Sequence, residues 1–219
     1  KEAANFGKVT VAASGEASKF TAIPKQAQWQ LDPGAAYVHI CSNETIGGVQ
    51  FHWTPDTGAV PLVADMSSDI LSRPVDVSKY GLIYAGAQKN AGPAGVTLVI
   101  VRNDLLRDTS PHLPAMLDYK THVKSNSLYN TPNTFGIYIL GLTMKWLRNN
   151  GGLEGIGRAN ERRNRIAGRS SGRTPRAIRW SPPGPRSSNG WTSCEPGACC
   201  GGSGVMFACV PSWSACRSR

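Results

Sequence analysis

The sequence predicts an α/β fold from three features: short apolar runs spaced along its first hundred residues, an amphipathic pattern over 134–148, and a stop directly after it. The runs are AVPLVA at 59–64, YGLIYA at 80–85 and VTLVIV at 96–101. Runs this short and this continuously apolar suit strands buried on both faces of a sheet. Between the first two, residues 67–71 are expected to form a short helix or turn, which Arg73-Pro74 would end because a residue before proline is driven out of the helical region. Beyond Pro132, the residues Phe135, Ile139, Leu142 and Trp146 recur at three- and four-residue spacing, and Leu140, Met144 and Leu147 widen the stripe. That period predicts a helix over 134–148, and Asn149-Asn150-Gly151-Gly152 supplies its stop. No internal repeat is visible.

Composition divides the chain in two. Residues 1–149 carry 9 Lys and 4 Arg against 11 acids, whereas 150–219 carry 11 Arg, no Lys and 3 acids, so most of the net +10 lies in the last third. That third also holds 12 of the 24 Gly and 5 of the 6 Cys, but only seven Leu, Ile, Val or Phe. So few apolar side chains cannot offset the entropy of ordering a segment, and residues 153–219 read as a tail without a packed core. Its arginines could attract phosphate backbones, yet any Arg-rich tail does so weakly, and no specific nucleic-acid partner is expected. Cys194, Cys199, Cys200, Cys209 and Cys216 are odd in number and lack zinc-site spacing, so no metal site is expected and the thiols read as free. No apolar run reaches the roughly 18 residues of a membrane span, and no secretory leader is visible. The first residue is not Met, so the sequence is expected to begin inside a longer protein.

Ligands of open α/β sheets gather where parallel strands end. Asp65 closes the first apolar run, and Lys89 lies just beyond the second, among small residues (AGAQKN, then GPAG). A lysine held from solvent there suits Schiff-base chemistry, and an acid on the neighbouring strand end suits a pyridinium nitrogen. By spacing alone a packed or salt-bridged lysine is the commoner outcome. Asp65 could equally cap the turn at Ser67-Ser68, Thr45 could be a turn hydroxyl, and Thr131 could cap the following helix. His39, His52, His112 and His122 share no spacing and read as structural. Trp29 and Trp53 read as core or interface residues.

Longer words sharpen this. VADMSSDILSRP at 63–74, YAGAQKN at 84–90 with GPAG at 92–95, SNETIGG at 42–48, MLDYK at 116–120 and YNTP at 129–132 together closely resemble the phosphoserine aminotransferases. The resemblance covers about residues 1–152 in consistent order and fades before Gly168. It implies part of the large domain of a three-layer, fold-type-I pyridoxal-phosphate transferase: a mostly parallel sheet with helices on both faces. It also implies transamination between glutamate and 3-phosphohydroxypyruvate, in serine biosynthesis and in some members pyridoxine biosynthesis, by a cytoplasmic homodimer with active sites at the subunit interface. Lys89 matches the lysine that holds pyridoxal 5′-phosphate as a Schiff base, and Asp65 the acid on its ring nitrogen. Thr45 matches the threonine on its phenolic oxygen and Gln88 a glutamine on its phosphate side. Asn130 and Thr131 match a pair reaching the phosphate bound by the other subunit.

The chain departs from that family in three places. Asn133 stands where a second proline is usual. The family's glycine-rich phosphate loop and stacking aromatic would precede Lys1, and its substrate-gripping His and Arg would follow the 134–148 helix, where the Arg-rich tail stands instead. So abrupt a change predicts translation of 153–219 in another reading frame, and a chain without activity of its own. Another pyridoxal-phosphate enzyme of the same superfamily and an inactive remnant are the alternative readings.

Overall fold

The computed structural model describes residues 2–171 and 205–209. Its centre is a five-stranded sheet in the spatial order β1 (Val38–Cys41), β2 (Leu62–Asp65), β3 (Leu82–Gly86), β4 (Thr97–Arg102) and β5 (Val205–Cys209). The first three strands are parallel, β4 returns antiparallel to β3, and β5 lies antiparallel to β4. Three helices accompany it: α1 (Tyr119–Lys124), α2 (Thr134–Asn149) and α3 (Gly152–Ser171). This is the α/β architecture expected from the apolar runs. No helix of the described residues is long and apolar enough to cross a membrane.

The sheet has two unlike faces. Leu62, Ala64, Ile83, Ala85, Ile40 and Leu98 point to one side and form the core with Met66, Ile70, Val96 and Leu140 of α2. On the other side Val99 and Val101 pack with Leu82, Tyr84, Leu105 and Leu106. Burial on both faces, expected of all three runs, is approached on β4, whereas β2 and β3 alternate between buried and half-buried positions. The reason is chemical: on this second face β1, β2 and β3 carry His39, Cys41, Asp65 and Tyr84, which a dry interface would strand.

Residues 67–71 form a turn rather than a helix: Ile70 N–H donates to the Met66 carbonyl at 2.8 Å, Ser72 N–H to Asp69 at 3.0 Å, and Leu71 sits in the left-handed region. Helix α2 is capped by Asn133, whose side chain accepts from Gly136 N–H at 2.9 Å, so the capping role considered for Thr131 falls two residues later. Its core-facing positions are Gly136, Leu140 and Met144, while Phe135 and Leu142 are exposed. The buried stripe is thus rotated from the one the longest apolar series suggested, because Gly136 lets the helix approach Val96 closely.

The stop at 149–152 is real but brief. Gly151 and Gly152 take positive φ, and α3 starts at once, burying Ile156 and reaching back through Asn160, which donates to the Ser72 carbonyl at 2.9 Å. Composition did not foresee this helix, nor β5. An average over the whole segment hides the short run VMFAC at 205–209 and the few apolar positions of α3. The expectations for Cys194, Cys199, Cys200 and Cys216 lie outside the described residues.

Candidate functional site

Three loops at the carboxyl ends of β1, β2 and β3 build the site. The loop after β1 folds back on itself: Glu44 N–H donates to Val49 at 2.8 Å, Gly48 N–H to Glu44 at 2.7 Å, and Asn43 bridges Gln50. It is tied to the turn after β2 through Asn43, which donates to Ser68 Oγ at 2.9 Å, while Ser68 Oγ returns a bond to the Asn43 carbonyl at 2.7 Å. Buried Asp69 completes the tie: it accepts from Ser42 Oγ and, at 2.9 Å, from Gln50 Nε2, with Arg73 4.0 Å away. The turn after β3 is held by Ala91 and Gly92 N–H donating to Ala87 at 3.0 and 2.8 Å, and by Asn90, which donates to Ile70 at 2.6 Å.

These ties bring Thr45 and Lys89 together, 44 residues apart in sequence, with Lys89 Nζ donating to Thr45 Oγ1 at 2.7 Å. Asp65, the last residue of β2, lies between Cys41 and Tyr84 in the register of the sheet. One of its oxygens accepts from Ser67 N–H at 2.9 Å, so the turn-capping role is real. A carboxylate offers about four acceptor positions, and this bond leaves the others free for a second partner. The Gln88 side chain folds over Gly86: a Cβ built there would stand 2.6 Å from Gln88 Oε1, so Gly86 is the space this amide needs. Asn130 and Thr131 are exposed, Asn130 donating to the Thr131 carbonyl at 3.2 Å, and among the described residues no hydrogen bond ties them to Lys89, Thr45 or Asp65.

The electrostatics of the half-open face follow from Asp65. The Cys41 thiol is pushed up to about 11, first by partial burial and then by the Asp65 and Glu44 carboxylates, so it stays neutral near pH 7. The Tyr84 phenol is pushed up to about 12 by burial and by the Asp65 carboxylate beside it. His39 Nε2 lies 3.0 Å from Tyr84 Oη, and burial lowers the imidazole's pKa against the opposing pull of Asp65. Sequence reading took His39 as structural and passed over Tyr84. The signal was strand parity: residues two apart on β1, and opposite one another on β2 and β3, share the face of Asp65. His122 is buried as expected, its Nε2 3.1 Å from the Met116 carbonyl. Trp29, Phe51 and Trp53 form an aromatic cluster beside the core, in keeping with the packing role assigned to both tryptophans.

An amine and a hydroxyl in contact, with a carboxylate at the end of the strand between their two loops, suit a ligand with a carbonyl, an adjacent phenolic oxygen and a basic ring nitrogen. Known proteins carry the same arrangement of elements. Phosphoserine aminotransferase of Laribacter hongkongensis is 62% identical over 161 residues, covering 74% of this chain and 45% of the relative. That of Nitrosomonas europaea is 60% identical over 168 residues, covering 73% and 45%. Among solved structures, phosphoserine aminotransferase from Bacillus circulans subsp. alkalophilus superposes with a TM-score of 0.74 at 56% identity, covering 76% of this chain and 46% of that one. A pyridoxal-phosphate-bound phosphoserine aminotransferase from Trichomonas vaginalis gives 0.64 at 42% identity, covering 67% and 43%. The chain therefore spans about half the length of the curated relatives it matches. Residues 1–169, from the N-terminal arm to the far end of α3, match the class-V aminotransferase model, and the chain belongs to the class-V aminotransferase family.

Proposed function

We propose that the chain forms the lysine-bearing part of a phosphoserine aminotransferase, which moves an amino group between glutamate and 3-phosphohydroxypyruvate to give 2-oxoglutarate and O-phospho-L-serine. The observation that carries the reading is the Lys89 Nζ–Thr45 Oγ1 contact of 2.7 Å beside Asp65 on the neighbouring strand end. Pyridoxal phosphate, when bound, supplies an electron sink that makes the substrate α-proton labile. Lys89 would hold the carbonyl carbon of that group and, once displaced by substrate, carry the α-proton. Thr45, already accepting from Lys89, has a hydroxyl proton to donate to a phenolic oxygen. Asp65 would face a protonated ring nitrogen, and the Gln88 amide would donate toward a phosphate.

Asn130 and Thr131, away from this cluster, are assigned to the phosphate bound by a second copy of the chain. The exposed apolar side chains beside them, Leu128, Tyr129, Phe135 and Tyr138, support a homodimer at this surface. Residues 1–152 constitute the part of the large domain that serves the chemistry, in a cytoplasmic enzyme.

The test uses the full chain with added pyridoxal phosphate. A visible absorbance band should form, become permanent on borohydride treatment with the label mapped to Lys89, and be lost in Lys89→Ala. In a chain extended to the full length of its relatives, glutamate should bleach the band, and 3-phosphohydroxypyruvate should restore it where pyruvate does not. Labelling spread over surface lysines would remove the proposal, and restoration by pyruvate alone would move the chain to another class-V activity.

A further inference from the structure

On the half-open face of the sheet a hydrogen bond spans three consecutive strands. Tyr84 on β3 stands opposite Asp65 on β2 in the parallel register and on the same face, and its Oη lies 3.0 Å from Nε2 of His39 on β1. The His39 and Tyr84 rings stack with centroids 6.0 Å apart and planes 30° from parallel. Since β2 lies between β1 and β3, the phenol must reach over the middle strand to meet the imidazole. The larger core lies on the opposite face; on this one the Tyr84 ring packs with Val99 and Val101, and its hydroxyl is left for polar partners.

We propose that His39 and Tyr84 are positioning residues for Asp65, in the order His39 Nε2–H to Tyr84 Oη, and Tyr84 O–H to the Asp65 carboxylate. A phenol has one proton, and a carboxylate can only accept, so the proton of Tyr84 points at Asp65. The phenolic oxygen is then an acceptor, which fixes His39 as the Nε2–H tautomer. With one Asp65 oxygen on Ser67 N–H, the carboxylate is held from two directions and its remaining acceptor capacity has a fixed aim. Hydrogen bonds to an ionised group are stronger than neutral ones, and outer partners of this kind orient the group that does the chemistry. The charged and titratable groups around the chain are Asp65 itself, Cys41 on β1, Tyr119 on α1, and Glu44 and Lys89 from the two loops; Cys41 and Tyr119 are uncharged near pH 7. The inference rests on the assignment of Asp65 to a ring nitrogen, but the hydrogen-bond chain can be read without any cofactor.

The first measurement is the ¹⁵N spectrum of the His39 ring in the full chain without cofactor, in wild type, Tyr84→Phe and Asp65→Asn. Wild type should show the Nε2–H tautomer. Tyr84→Phe should return His39 to the mixture of a free imidazole. Asp65→Asn should lower the pH at which His39 titrates, since Asp65 favours its charged form. Unchanged His39 signals in both variants would overturn the chain of bonds, whether or not pyridoxal phosphate binds.

The second measurement is retention of pyridoxal phosphate. Tyr84→Phe keeps the ring and its packing on Val99 and Val101, so the chain should still fold, with the unfolding midpoint falling by no more than the lost hydrogen bonds account for. Retention should fall about tenfold, the value of a hydrogen bond to a charged group. A Tyr84→Phe chain that still forms the Lys89-dependent band with unaltered retention would overturn the positioning role. A wild-type chain with no such band would instead count against the proposed function.

Discussion

Asp69→Ala is expected to lower the stability of the chain by about 2 kcal/mol, measured as a fall in the urea midpoint at unchanged slope. Asp69 is buried and accepts from Ser42 Oγ and Gln50 Nε2, with Arg73 at the edge of ion-pair range. Alanine removes all three partners at once; the buried Ser42 hydroxyl can turn to the Asp65 carbonyl at 3.0 Å, but the half-buried Gln50 amide is left without its acceptor. Such a group costs about 1–3 kcal/mol, and this dominates the estimate. The Arg73 pair adds little, because 4.0 Å is long and the Arg73 side chain is 32% exposed. Asp69→Asn is the informative companion: it preserves volume but turns one acceptor into a donor facing other donors, so it should recover less than half of the loss. The effect reaches the site, since Ser42 and Gln50 are the two ends of the loop that carries Thr45. Amide exchange at Gly48, whose N–H closes that loop onto Glu44, should quicken in both variants. Recovery of full stability by Asp69→Asn would mean that shape, not acceptor count, holds the loop.

The same network shows what could and could not be read from the sequence. Strands β2, β3 and β4 were legible because each is a local run of apolar residues, whereas β1 is four residues long, carries His39 among them, and showed no such run. Lys89, Asp65 and Thr45 were legible as chemistry only through the resemblance of whole words; spacing alone favoured a capped turn and a packed lysine. The structure puts the three together by way of Asn43, Ser68, Asp69 and Asn90, residues that sit inside those words without any role attached. Asp69 differs from Asp65 in nothing but its position four residues on, past the strand end and inside the turn. His39 and Tyr84 needed strand register, which a sequence does not state: Tyr84 faces Asp65 only because β2 and β3 pair in parallel at that alignment. For α3 and β5 the obstacle was averaging, since a helix that buries one isoleucine and a five-residue strand scarcely change the composition of seventy residues.

A pair of identical substitutions on α2 should have opposite signs. Gly141→Ala is expected to stabilise the chain by about 1 kcal/mol, because alanine is the better helix former and a Cβ at 141 meets nothing within 4 Å. Gly136→Ala has the same propensity gain, yet its Cβ would stand 2.7 Å from Val96 Cγ2 and 2.6 Å from Asn133 Nδ2. Val96 is fully buried and cannot retreat, and Asn133 is the cap whose side chain accepts from the Gly136 N–H itself. Overpacking costs about 1–3 kcal/mol and a lost cap about 1, so the clash outweighs the propensity and the net should be about 2 kcal/mol destabilising. The consequence does not stop at the helix. The Val96 carbonyl accepts from Ala87 N–H at 2.9 Å, and Ala87 carries the turn that presents Lys89. Gly136→Ala should therefore also weaken pyridoxal phosphate retention, whereas Gly141→Ala should leave it untouched. Equal shifts in the two urea midpoints would show that α2 can slide on the sheet, and that Gly136 is a matter of helix propensity rather than of the seat behind Lys89.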